Sequence, residues 1–328
     1  MMFAVGALLA TVLAAAAPGP GTGFGEALRN QASACRAGSG GLPLEDYLVS
    51  GLSAEVFQNY LGVDVRWAGL GVEATLWQGT RLGARGAGTF SEGIPATTEL
   101  ADGSFGGTTG TVRAEEWTWT VFAQQRWTTP TGGRIDARLT GLGIRQDLAG
   151  DAATGAGIAA AAFVALPVSA AATFLAWGEA GPFGRGRGAG FAQSVRFGFG
   201  LERQGGIGLV GGQEGFRLGG EGEGLLEGLW DAGGGLVYWF GGRAADGPGM
   251  RLFLRGGARS MGAGVTALQP RFGFGASLLT EGNFGIAADY AAVPFGDFGV
   301  MQSLTARITF AGRLAGGRAE PSHTLQGP

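Results

Sequence analysis

The chain has no lysine; all 23 of its basic residues are arginine. A phosphate-binding P-loop needs that lysine, so this class of nucleotide enzyme is excluded. It has one cysteine, Cys35, and one histidine, His323 near the C-terminus. A single thiol cannot form an internal disulfide, and without a His/Cys cluster there is no zinc set. A Ser–His hydrolase lacks a base within the body of the chain. Net charge is only -3, which leaves no basic footprint for nucleic acid. No apolar run approaches the roughly 20 residues that a membrane helix requires. These absences point to a non-enzymatic protein without metal or cofactor. If it is in a membrane, it must be there as a barrel.

Glycine is abundant, with 68 residues against 12 prolines. There is no G-x-y period, which excludes collagen. Apolar content of 45% is too high for a disordered chain. The informative pattern is alternation. Phe272, Phe274, Ala276 and Leu278 share one parity, as do Phe284, Ile286, Ala288 and Tyr290, and then Leu304, Ala306, Ile308 and Phe310. Between them stand Gly, Ser, Thr, Arg and Asp. Period two sends successive side chains to opposite faces of a strand.

The same period recurs upstream. Tyr60–Trp67 puts Leu61, Val63, Val65 and Trp67 opposite Gly62, Asp64 and Arg66, and Leu70–Trp77 continues it. Trp117–Trp127 sets Trp117, Trp119 and Val121 against Thr118, Thr120 and Phe122, with Trp127 where an aromatic girdle would lie. Arg134–Ile144, Phe191–Leu201, Ala232–Phe240 and Met250–Ala258 add further segments. Gly79–Ala114 shows no period and reads as a long loop. Gly157–Leu166 and Ser169–Trp177 are Ala-rich apolar runs split by Pro167, where a helical hairpin and a pair of strands are both open readings. Register is uncertain through the Gly-rich residues 205–230.

The ends differ from the body. Phe3–Ala17 is uncharged and apolar, too short to span a bilayer, and reads as a signal peptide cleaved near Ala17. Residues 18–45 have no sustained period and form an N-terminal segment ahead of the barrel, which occupies 46–310. Residues 311–328 read as a disordered tail.

Counting gives about 14 strands, an even number in the bacterial range. The expected fold is all-β: a closed antiparallel transmembrane barrel in the bacterial outer membrane, with lipid outside and a polar lumen inside. By the alternation, the lumen-facing charges are Asp64, Glu73, Arg134, Asp136, Arg138, Arg196, Arg251, Arg255, Arg259, Arg271, Asp289 and Arg307. Such charges can pair across strands and fill the barrel, or hold a carboxylate through bidentate arginine contacts. Pro294-Phe295-Gly296-Asp297 is a turn by its chemistry. A secreted, soluble Gly-rich β-protein is the alternative from a different class.

Asp289-Tyr290-Ala291-Ala292-Val293-Pro294-Phe295-Gly296-Asp297-Phe298-Gly299, followed by Ser303-Leu304 and a last alternating strand, resembles the C-terminal end of PorV/PorQ-type outer-membrane proteins, relatives of the FadL-like transporters. Asn30-Gln31-Ala32 is similar to that family's Asn-Pro-Ala element. The resemblance implies an N-terminal plug in the lumen that includes Asn30, Gln31 and Ala32. It also implies a role beside type IX secretion machinery, in secretion or surface attachment, or passive passage of hydrophobic small molecules. The implied partners are outer-membrane lipid and either secretion-machinery proteins or those molecules.

Overall fold

The computed structural model describes residues 51–310 apart from 62–64, 77–78, 100–104, 149–150, 187–193, 205–213, 226–229, 242–248, 261–267, 281–283 and 295–299. Alternation becomes fourteen strands: β1 (Leu52–Leu61), β2 (Val65–Thr75), β3 (Thr80–Glu99), β4 (Phe105–Thr128), β5 (Arg134–Leu148), β6 (Asp151–Ser169), β7 (Ala172–Gly186), β8 (Ser194–Gln204), β9 (Glu214–Leu225), β10 (Trp230–Phe240), β11 (Gly249–Ser260), β12 (Leu268–Leu279), β13 (Phe284–Pro294) and β14 (Val300–Phe310). Each strand pairs antiparallel with its neighbours in sequence, and β1 pairs with β14 to close the barrel.

Register sorts the two faces. Val56, Leu70, Val121, Phe199, Phe272 and Leu304 lie on the outer parity and are each more than half exposed. Ile144, Val237, Ala291 and Val293 lie on the inner parity and are buried. A continuous apolar skin of this size would drive association in water. In hydrocarbon it is the solvated face, and closing the sheet leaves no unpaired edge in the bilayer.

The two rims differ. At the rim where β1 begins and β14 ends, short turns join β4 to β5 and β6 to β7. Gly79 (φ 79°) and Gly132 (φ 78°) supply left-handed conformations there, and the Gly133 amide donates to Thr129 Oγ1 at 2.8 Å. At the other rim β3 and β4 run for 20 and 24 residues. Their ladder continues past Ser91–Ala114, the level at which β2 and β5 stop. Short turns face the periplasm in such barrels, so the long hairpin is extracellular.

Three sequence expectations change and one open reading closes. Gly79–Ala114 is not a loop but most of the β3–β4 hairpin; its many Gly and Thr residues hide the period because they carry little apolar contrast. Gly157–Leu166 and Ser169–Trp177 are strands, since the Ala-rich run alternates only in where its side chains point. Tyr60–Trp67 spans the end of β1 and the start of β2 rather than one strand, so its faces invert: Trp67 is buried inside and Arg66 is exposed outside. Pro294 is the last residue of β13, opposite Val300, rather than part of the turn. Phe295, Gly296 and Asp297 lie outside the described residues. So do Asp64, Asn30, Gln31, Ala32, the signal peptide, the 18–45 segment and the tail. Among the described residues, β1 opens the barrel at Leu52.

Candidate functional site in the barrel interior

Large inner side chains lie flat because the neighbouring strand offers glycine. Phe57 covers Gly69, Phe122 covers Gly83, Trp177 covers Gly198 and Trp239 covers Gly215; in each case a Cβ on the glycine would overlap the ring. This is the aromatic–glycine pairing used to pin register in curved sheets.

Most of the interior is charged. Glu55 on β1 accepts from Arg307 of β14 (Nε at 2.9 Å) and from Arg85 of β3 at 3.0 Å. Arg307 is its partner across the closing seam, and Arg85 reaches it over Gly71 of the intervening β2. Arg255 on β11 reaches Asp289 on β13 in the same way, at 2.6 Å, across Gly275 of β12. Its guanidinium also lies 5.2 Å from the Phe253 ring centroid. Glu73 accepts from Arg81 at 2.6 Å and from the Ser53 hydroxyl at 3.1 Å.

Asp136 accepts two bonds from Arg126, at 2.8 and 3.3 Å, and lies 3.1 Å from Arg134. Arg138 donates twice to Gln124, at 3.1 and 2.8 Å, and covers the Phe122 ring at 4.5 Å. Arg196 stands 3.9 Å from Glu179, and Arg217 is paired with Glu202. The Arg126–Asp136 contact, bidentate and partly desolvated, is the strong form of the ion pair.

Among these pairs, on β7, β10 and β11, sits an apolar cluster. Val237, Trp239 and Phe253 form a buried cluster, with Trp177 packed against it. Arg251 and Arg255 of β11 flank Phe253 on the inner parity, which Arg259 shares with Arg271 of β12, through Arg251–Ser277, Arg255–Gly273 and Gly257–Arg271 register. The interior therefore mixes paired charges around most of its circumference with one apolar cluster bordered by arginine. Among the described residues no group of three or more acidic, His or Cys side chains is placed to hold a metal ion.

The structure brings Arg134 and Asp136 together, and likewise Arg255 with Asp289. Arg138 and Glu73 find partners that sequence reasoning missed. Missed as well were Glu55, Arg81, Arg85, Arg126, Glu179, Glu202 and Arg217. Ser53, Glu55, Phe57 and Asn59 do alternate with Leu52, Ala54 and Val56, but Phe57 on the polar side masks the period. Arg81 and Arg85 sit in the stretch that looked aperiodic.

No protein-family model matches the chain, and no curated protein does. Solved structures similar to it include the TodX deltaS2S3 mutant monoaromatic hydrocarbon channel, at 11% identity and TM-score 0.48, covering 84% of this chain and 97% of that one. The Ralstonia pickettii toluene transporter TbuX is similar at 8% identity and TM-score 0.46, covering 84% and 97%. The translocator domain of autotransporter NalP from Neisseria meningitidis is similar at 13% identity and TM-score 0.37, covering 81% and 90%. At these values the likeness speaks to nothing finer than architecture. A closed fourteen-stranded barrel with an apolar belt is the architecture of bacterial outer-membrane proteins.

Proposed function

We propose that this barrel is a non-enzymatic, passive conduit for hydrophobic small molecules across the outer membrane, of the FadL-like kind. One observation carries the reading: the apolar wall of Trp177, Val237, Trp239 and Phe253 lies on the lumenal face, where a water-filled porin would present polar side chains. Eight strands give a barrel that its own side chains fill, and 16–18 leave an aqueous channel. Fourteen strands stand between the two. Aromatic and aliphatic pocket linings with a few placed polar groups suit such molecules.

The test is uptake of a labelled monoaromatic hydrocarbon by intact cells that carry the barrel. Uptake several-fold above cells without it is expected, and Val237→Glu should abolish the gain while the barrel still folds. Uptake equal to that of the empty cells, with folded protein in the outer membrane, would refute the reading.

A PorV/PorQ-type role in secretion or surface attachment is the second reading. It is favoured by the ion pairs that tie the lumenal wall and by the β3–β4 hairpin standing above its neighbours. Secretion-machinery proteins would be its partners. Co-purification of an exported protein that is lost on removal of residues 92–112 would support it.

A further inference from the structure

Inside the barrel the described arginines pair with carboxylates, an amide and rings. On the outer face, near the extracellular rim, two stand without a carboxylate. Arg66 on β2 and Arg145 on β5 are exposed on the outer parity near the extracellular rim, and neither has a carboxylate partner among the described residues. Each instead stands directly across from an aromatic residue of the next strand. Arg66 is opposite Tyr60, with its guanidinium 5.9 Å from the ring centroid. Arg145 is opposite Trp117.

The ground between them is aromatic too. Phe90 on β3 is the other register partner of Arg66, and its ring packs edge to face on Trp117 at 5.1 Å. Tyr60, Arg66, Phe90, Trp117 and Arg145 thus form one continuous strip over five strands. The nearby outer carboxylates are taken: Glu115 is ion-paired with Arg113 and accepts from Trp117 Nε1 at 3.5 Å, and Asp147 also has a partner.

Aromatic belts mark the level of lipid headgroups, and an arginine facing lipid is stable there only if it meets an anion or water. We infer that the strip binds the headgroup of an outer-leaflet lipid carrying two phosphates. Guanidinium groups hold phosphate bidentately, and basic surfaces at the membrane boundary recognise anionic headgroups. Three strand spacings and a two-residue step put the Arg66 and Arg145 Cα atoms about 16 Å apart. The Arg66 guanidinium leans away from Arg145, over Tyr60, so each guanidinium holds a phosphate of its own, at the two ends of one headgroup. The two rings between, Phe90 and Trp117 packed edge to face, provide an apolar floor beneath it.

The experiment uses the full chain in detergent, with bound lipid counted by native mass spectrometry against added bisphosphorylated, monophosphorylated and fully dephosphorylated forms of one glycolipid. Wild type should retain the bisphosphorylated form at least tenfold better than the dephosphorylated form, with the monophosphorylated form between them. The pair Arg66→Gln with Arg145→Gln should remove that preference. Arg203→Gln, at an exposed arginine on the opposite rim, should keep it. Inorganic phosphate at millimolar concentration should not displace the lipid. Equal retention of the three forms by wild type, full displacement by phosphate alone, or a double variant that still prefers the bisphosphorylated form would each overturn the inference. The lipid series on wild type stands even if the double variant fails to fold.

Discussion

Glu55→Gln removes the carboxylate at the barrel's closing seam. Glu55 is 6% exposed and receives guanidinium groups from Arg307 and Arg85, whose side chains are 14% and 31% exposed. Taking one partner out of a buried ion pair destabilises by about 3–5 kcal/mol, because the remaining charge stays desolvated. An exposed pair contributes only about 0–1 kcal/mol. Arg85 is nearly a third exposed, so its share falls toward the lower figure, and most of the loss comes through Arg307. The expected change is therefore about 3 kcal/mol, the low end of the buried range.

The assay is guanidinium unfolding of the refolded barrel in lipid vesicles, followed by tryptophan fluorescence. Arg307→Gln and the double variant complete a cycle, and their coupling should exceed about 1 kcal/mol, as for residues sharing one network. A loss below about 0.5 kcal/mol for Glu55→Gln, the scale of an exposed pair, would refute the reasoning. It would show that water reaches the seam and that the inner wall is not a desolvated surface.

Gly83→Ala should destabilise by about 1–3 kcal/mol by overpacking against the Phe122 ring. Combining it with Phe122→Ala should cost clearly less than the sum of the two, read by the same unfolding assay. Phe274→Arg, on the outer belt, should cost about 2–4 kcal/mol near the bilayer midplane, while Phe274→Leu should be mild; equal losses would place that ring away from lipid. Replacing residues 92–112 by a short turn should leave folding intact, since the β3–β4 ladder there extends past both neighbouring strands. Unchanged heat-modifiable gel mobility is the check, and loss of the folded band would show that the arm supports the wall.

Where large apolar and polar residues alternate without exception, the sequence was enough. β12, β13 and β14 could be read to within a few residues, and the inward placement of Arg255 and Asp289 followed from parity alone. Legibility failed where contrast was low. Between Gly79 and Ala114 the outer positions are often Ala and Gly, so a strand 20 residues long looks like a loop. In Gly157–Leu166 both faces are small and apolar, and β6 alternates only in geometry. At Tyr60–Trp67 one strand ends and the next begins. A one-residue change of phase there exchanged the faces of Trp67 and Arg66, the error expected for a period of two. The partners were less legible than the faces. Arg85 and Glu55 are 30 residues apart and sit two strands from each other, which no local pattern records.

Glycine links these observations. Neighbouring strands lie about 4.8 Å apart, so a contact between side chains two strands apart must cross roughly 10 Å of wall. Arg85 crosses to Glu55 over Gly71, where an added Cβ would stand only 3.3 Å from its Nε atom. Arg255 crosses to Asp289 over Gly275, where a Cβ would collide with the carboxylate. The rings of Phe57, Phe122, Trp177 and Trp239 lie down over glycines in the same way. Gly inside a strand is weakening on propensity alone, and often marks a close approach by another group. In this barrel the approaching groups are the inner wall's own long side chains. The glycines of the inner parity let charges and rings lie along the wall instead of projecting toward the axis. That placement is what lets an apolar cluster on β7, β10 and β11 stand beside paired charges within one lumen.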